Sequence, residues 1–278
     1  MRRRAGRAPA ARGHRLSVPV LTFLSDYGLA DSYVAEVKGA ILSLDPAAHI
    51  VDVTHLVPAG AVASGAYLLG RACRRFPAGS VHLAVVDPGV GTSRAGLAFR
   101  AHGHLFVGPD NGLFSEVLDG VEGDVIALDE PGHAAPTFHG RDVFAPAAAR
   151  LLMGYPPATL GHALARAPVV LPQLTPFHEG PVLVGEVIHV DAFGTLVTSI
   201  PSGAVPDGGL VTYHATPIGP VRRTFADVAS GQLLALAGSG GRLEIAVRDG
   251  SAAARLGAGL GSEVRVGPPG SPPGAPHG

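Results

Sequence analysis

One cysteine, Cys73, stands in a chain of 278 residues. A lone cysteine excludes an internal disulfide and any zinc site built on several cysteines. Tryptophan is missing, and there is a single lysine, Lys38, and a single asparagine, Asn111. No apolar run reaches the length of a membrane span. Charge is scarce and balanced, with 15% charged residues and a formal net charge of -1. Such a surface offers no electrostatic footprint for nucleic acid or an anionic membrane. The metal-binding spacing HExxH, the nucleophile elbow G-x-S-x-G, the P-loop and G-x-G-x-x-G are all absent. Neither a metal nor a resident cofactor is therefore expected. The Arg-rich stretch Met1 to Arg15 and the short apolar run Leu16 to Leu24 lack a small-residue cleavage site and contain Pro19. Residues 1–16 are expected to be a disordered leader on a cytoplasmic protein.

What is present is apolar and rich in Gly, Pro, Ala and Arg, with hydrophobic residues at 46%, the composition of a globular chain. Val18 to Leu24 reads as a strand and ends in Ser25-Asp26-Tyr27-Gly28. Asp31 is a plausible N-cap for a helix with Tyr33, Val34, Val37, Ile41 and Leu42 at helical spacing. A second strand, His49 to Val53, a helix, Ala61 to Phe76, and a third strand, Val81 to Val86, follow. This β-α-β-α-β order predicts an α/β N-terminal domain, 17–170, with a mainly parallel sheet flanked by helices. Residues 171–181 read as a linker. Short strands with turn residues between them predict a smaller all-β C-terminal domain over 182–266, before a disordered tail, 267–278.

The chain is organised around Val81 to Arg94. A carboxylate at the carboxyl end of a buried strand sits where ligands settle in α/β folds. Asp87 has that place, and Pro88, Gly89 and Gly91 set a tight path that brings Arg94 back toward it. A structural salt bridge and a functional pair are both consistent with this spacing. Other polar groups collect at strand ends and turns: Asp26 and Asp31, Asp110-Asn111, His139 and Asp191.

Seven motifs in register carry a resemblance. They are Phe23-Leu-Ser-Asp-Tyr-Gly-Leu-Ala-Asp-Ser-Tyr-Val34, Lys38-Gly39, Val86-Asp-Pro-Gly-Val-Gly-Thr-Ser-Arg94, Gly108-Pro-Asp-Asn-Gly112, Phe138-His-Gly-Arg-Asp-Val-Phe-Ala-Pro146, Asp191-Ala-Phe-Gly194 and Leu243-Glu-Ile-Ala246. Together they resemble the S-adenosyl-L-methionine hydroxide adenosyltransferases, which share a fold with the fluorinase and chlorinase enzymes. The resemblance implies attack of water or hydroxide on C5′ of S-adenosyl-L-methionine, giving adenosine and L-methionine. It also implies a homotrimer with each site between the N-terminal domain of one subunit and the C-terminal domain of its neighbour. By the same resemblance Asp87, Arg94 and His139 are the catalytic set. Asp26 is the ligand of the ribose diol, and Asp31 and Tyr33 lie around the amino-acid part. Asp191 suits the ammonium, and Phe193, Ser239 and Glu244 lie toward adenine.

The chemistry fits these residue types. The sulfonium leaves as a neutral thioether and needs no acid, so the reaction lacks only a good nucleophile. His139 can take a proton from water, Arg94 can favour hydroxide, and Asp87 can orient either. Which group holds the proton is open at this level. Plain structural roles compete: Asp31 as an N-cap, Tyr33 and Phe193 as core, Ser239 as a turn residue and Lys38 as an ion-paired helix residue. Asp142 reads as the N-cap of the helix after it. Two positions depart from the family pattern. Thr195 stands where Asn is usual after Phe-Gly, and Gly238-Ser239 stands for Asn-Ser. A halogenase acting on the same substrate and a non-catalytic sensor of S-adenosyl-L-methionine or adenosine are the alternatives.

Overall fold

The computed structural model describes residues 20–269. The expected leader, 1–16, and the tail beyond 269 lie outside them. In chain order the first unit holds β1 (Val20–Ser25), α1 (Tyr33–Leu44), β2 (His49–Thr54), α2 (Val62–Cys73), β3 (Val81–Val85), β4 (Gly96–Ala101), β5 (His104–Pro109), β6 (Ile126–Leu128), α3 (Ala145–Leu152) and β7 (Gly161–Ala163). Its seven strands are ordered β2-β1-β3-β5-β4-β6-β7. Strands β1 and β3 are buried along nearly their whole length because helices cover both faces of the sheet there. Leu21, Phe23, Leu83 and Val85 share a core with Val37 and Ile41 of α1 and Ala148 and Leu151 of α3. Leu24, Ala84 and Val86 meet Leu69 and Cys73 of α2 on the other face. Each such large side chain, removed fully from water, contributes about 1.5–3 kcal/mol. Cys73 is part of that core, and burial pushes its thiol pKa up.

The second unit holds β8 (Phe177–Glu179), β9 (Val182–Val190), β10 (Leu196–Pro201), β11 (Leu210–Tyr213), β12 (Thr216–Arg222), β13 (Leu233–Ala237), β14 (Arg242–Val247), α4 (Ala252–Leu256) and β15 (Glu263–Gly267). The strands run β10-β14-β13-β12-β11-β15-β9-β8, and β10 also pairs with β9. That last pairing closes seven strands into a barrel around Leu183, Val187, Leu196, Val211, Leu243 and Val264.

The expected fold class is thereby corrected. Among the described residues the chain is mostly β, with four short α-helices. Its first sheet is mixed and not mainly parallel: β1 pairs β2 and β3 in parallel and β3 pairs β5 in parallel, whereas β4 pairs β5 and β6, and β6 pairs β7, antiparallel. The second unit is no minor appendage, since its sheet has eight strands against seven. The βαβ grammar of the first eighty residues was extended too far. After β3 the chain returns by a hairpin, which needs no crossover helix. Ring closure also leaves no trace in a sequence, because it depends on pairing between strands read separately.

The units touch along α2. Tyr67 packs with Leu174, Ile188 and Val197. Ser64 Oγ lies 2.7 Å from His189 Nδ1, and Arg71 Nη2 donates to Ser239 Oγ at 2.7 Å.

Candidate active site

Strands β1 and β3 pair in register, with Leu24 opposite Ala84 and Ser25 opposite Val85. Their carboxyl ends therefore finish side by side, and Asp26 and Asp87 follow at the same edge. The sole asparagine pins that edge: Asn111 Nδ2 donates to Val86 O at 2.8 Å. Beyond Asp87 the chain turns tightly, with Val90 N donating to Asp87 O and Thr92 N to Gly89 O. Gly91 has φ +78°, and a Cβ there would stand 2.7 Å from Pro136 O. The turn thus needs glycine for both its backbone conformation and its fit against the 129–137 loop.

This path brings Arg94 onto Asp87. Arg94 Nε donates to both carboxylate oxygens at 3.0 Å, and Nη2 reaches Oδ2 as well. The two side chains are 10% and 5% exposed. The guanidinium lies 5.1 Å from the centroid of the Phe144 ring. Arg94 Nη2 also lies 3.0 Å from His139 Nδ1. A guanidinium only donates, so Nδ1 accepts and the proton of neutral His139 resides on Nε2. Glu130 Oε1 is 3.1 Å from Nε2 but off the line of a hydrogen bond. Nε2 is buried and finds no hydrogen-bond partner among the described residues. His139 leads into a π-helical turn, Gly140–Phe144, before α3. Such turns are rare and frequent at functional sites.

A cavity of about 260 Å³ opens over these groups, lined by Asp26, Tyr27, Tyr33, Asp87, Val90, Phe138, His139 and Gly140 among others. Asp26 Oδ2 accepts from Gly60 N at 2.9 Å. Tyr27, Tyr33 and Phe138 form an aromatic cluster, with Phe138 edge-on to both tyrosines at 5.9 and 5.4 Å. Burial, and then the Asp26 and Asp87 carboxylates, push the Tyr27 phenol far above its ordinary pKa. Tyr27, Val90 and Gly140 were missed in the sequence because none carries a charge, and their place on the cavity follows from contacts between distant segments. Asp31 is exposed and is not among the lining residues. The N-cap of α1 is Ser32, whose hydroxyl donates to Glu36 Oε1 at 2.7 Å. Asp142 is likewise no N-cap: it accepts from Ala135 N at 2.9 Å and from Arg141, tying down the 129–137 loop. Lys38 pairs with Asp52 at 2.6 Å, away from the cavity.

The second-unit residues lie elsewhere. Asp191, Phe193, Thr195, Phe225, Glu244 and Arg248 border a groove of about 840 Å³. Asp191 Oδ1 accepts from Phe193 N at 2.9 Å and Thr195 N at 2.8 Å, closing the turn that carries them. Phe193 is 81% exposed and so is not core. Burial raises the Glu244 carboxyl pKa. Ser239 borders a third hollow with Arg71, Arg74 and Arg75. A single chain thus gathers Asp26, Tyr33, Asp87 and His139 around one cavity with Arg94 behind them, and leaves Asp191, Phe193, Glu244 and Ser239 apart.

Comparison with known proteins matches residues 21–161 to the SAM hydroxide adenosyltransferase N-terminal domain and residues 185–265 to the C-terminal domain of the same family. A protein of Salinispora tropica named (R)-S-adenosyl-L-methionine hydrolase is 42% identical over 260 residues, 89% of this chain and 97% of the relative. One of the same name from Thermus thermophilus is 42% identical over 88% of this chain and 98% of its own length. A fluorinase of Nocardia brasiliensis is more distant, 29% identical over 90% of this chain and 97% of its own. A crystal structure of an uncharacterised conserved protein from Thermotoga maritima superposes with a TM-score of 0.80 at 35% identity, covering 90% of this chain and all of that one.

Proposed function

The chain belongs to the S-adenosyl-L-methionine hydroxide adenosyltransferase family, and from that premise we propose that it hydrolyses S-adenosyl-L-methionine to adenosine and L-methionine. The observation that carries the reading is the nearly buried Asp87–Arg94–His139 constellation, whose Asp87 and His139 line a cavity that also holds Asp26. Asp26 faces the cavity with one oxygen free of the Gly60 bond, suited to a ribose diol.

The geometry supports Asp87 as the group that takes the proton of the attacking water. His139 has no lone pair to offer: Nδ1 is taken by Arg94, and Nε2 carries the proton and is closed to solvent. Asp87 keeps spare acceptor capacity beside the Arg94 bonds, since a carboxylate has about four lone-pair sites. Arg94 supplies fixed positive charge where hydroxide character develops, and His139 holds its Nη2 in place. Attack runs in line with the C5′–S bond, so holding water and ribose on one wall lowers the barrier by positioning. The leaving group is already cationic, which makes a metal or cofactor unnecessary for its departure.

We place the full site between copies of the chain, as a homotrimer. The cavity lining comes from the first unit alone, while the groove around Asp191 presents an aromatic side chain to solvent. A neighbour's groove facing the cavity would bring Asp191, Phe193 and Glu244 to the substrate. The deciding experiment is product chromatography after incubation with S-adenosyl-L-methionine, without chloride and with chloride in excess. Adenosine and methionine in equal amounts, indifferent to chloride, are expected. A chloride-dependent 5′-chloro nucleoside would move the protein to the halogenase reading, which the Asp87 carboxylate on the cavity wall opposes by charge.

A further inference from the structure

One polar group on the cavity wall has no part in the reaction as described: the Tyr27 hydroxyl. Its ring is clamped by Phe23, Tyr33 and Phe138, edge-on or tilted at 6.3, 6.0 and 5.9 Å. The backbone on either side is fixed as well, with Tyr27 N donating to Ser25 Oγ at 3.4 Å and Gly28 N to His55 O at 2.7 Å. The phenolic oxygen makes no hydrogen bond to any described side chain, although Tyr27 lines the same cavity as Asp87 and His139. It lies directly against Gly140, where an added Cβ would collide with it. The residue after His139 is therefore small in a way that leaves the hydroxyl its place. Burial and the two flanking carboxylates keep the phenol protonated, hence a donor, across the working pH range.

We propose that Tyr27 Oη–H donates a hydrogen bond to the nucleophilic oxygen, holding the attacking water against Asp87 and stabilising the hydroxide character it gains. The assignment rests on the hydrolytic reading. As the new O–C5′ bond forms, one O–H bond of water breaks and its proton goes to Asp87. The C5′–S bond breaks with both electrons to sulfur, which becomes the thioether of methionine. Tyr27 keeps its proton throughout.

The test is a kinetic cycle on the full chain with Tyr27→Phe, Gly140→Ala and both together. Tyr27→Phe removes one oxygen and keeps the ring. It is expected to lower kcat about a hundredfold to a thousandfold, the scale of one lost oxyanion donor, with KM nearly unchanged. The pH of half-maximal kcat should also move upward. Gly140→Ala, which displaces the hydroxyl, should cost a comparable factor alone and little more in the Tyr27→Phe background. Wild-type kcat and pH profile in Tyr27→Phe would overturn the proposal. A raised KM with unchanged kcat would also overturn it, by assigning the hydroxyl to substrate binding. Wild-type protein that forms no adenosine would overturn the hydrolytic reading itself, a result distinct from an active wild type with an equally active Tyr27→Phe.

Discussion

At the scale of single residues, the site turns on what Arg94 can and cannot do. It donates to Asp87 and His139 at once, and this fixes the histidine tautomer without any appeal to pKa. Asp87→Asn should therefore lower kcat by at least about 100-fold, the range for loss of a general base. His139→Asn should cost less, because it removes only a support for Nη2. Adenosine binding by calorimetry should survive in both, and equal losses in the two variants would return the proton to His139. The Asp87–Arg94 pairing was legible in the sequence, since seven residues with Pro88, Gly89 and Gly91 between them permit little but a tight return. The direction of the proton was not, because it depends on which ring nitrogen meets Arg94, and that follows from the placement of a distant loop.

Among the elements, the turn after β3 and the 129–137 loop act as a pair. Gly91 sits against Pro136 O, and the loop leads through Phe138 into His139. Gly91→Ala meets both a left-handed backbone and a carbonyl, so it should lower stability by about 1–2 kcal/mol or more. It should also lower kcat by spreading Asp87 from His139. Thermal denaturation beside steady-state kinetics checks both, and an unchanged midpoint would deny the contact. Strands β1, β3 and β5 carry another buried arrangement. Thr22 Oγ1 lies 2.7 Å from His82 Nδ1, and His82 Nε2 lies 3.2 Å from His104 Nδ1. Strand existence here was readable from Val and Leu runs. The histidine contacts were not, because they join residues on separate strands.

For the molecule as a whole, the buried histidines set its response to acid. Burial lowers the His82 pKa to about 3 and depresses those of His55, His104 and His189 in the same direction. The folded state then binds fewer protons than the unfolded chain between about pH 6.5 and pH 3. Stability is full above the upper limit and falls as pH drops through that window. For His82 alone the loss at pH 4.5 is about 2–3 kcal/mol, at 1.36 kcal/mol per pH unit. Urea denaturation at pH 7.5 and 4.5 should show this, and His82→Gln should flatten the difference. Assembly belongs to the same scale. Phe193→Ser, on an exposed turn, should leave the subunit folded while weakening the proposed trimer in sedimentation and raising KM. A monomer of full activity in the wild type would remove the shared site. Most strands were legible along the chain, but β7, β8 and β12 were not, and neither were the mixed first sheet and the ring closure of the second, since these depend on which strands become neighbours.

Closure of that ring has one more consequence. A sheet with free margins loses its amide protection from the outside inward. Here β9 and β10 are bonded to each other, so neither is a margin, and only β8 lies on the outside. Deuterium uptake should therefore be early in Phe177–Glu179 and nearly simultaneous across the other seven strands, as befits a hoop that opens at once or not at all. The turn carrying Asp191 and Phe193, strung between β9 and β10, would then hold its shape for as long as the hoop does.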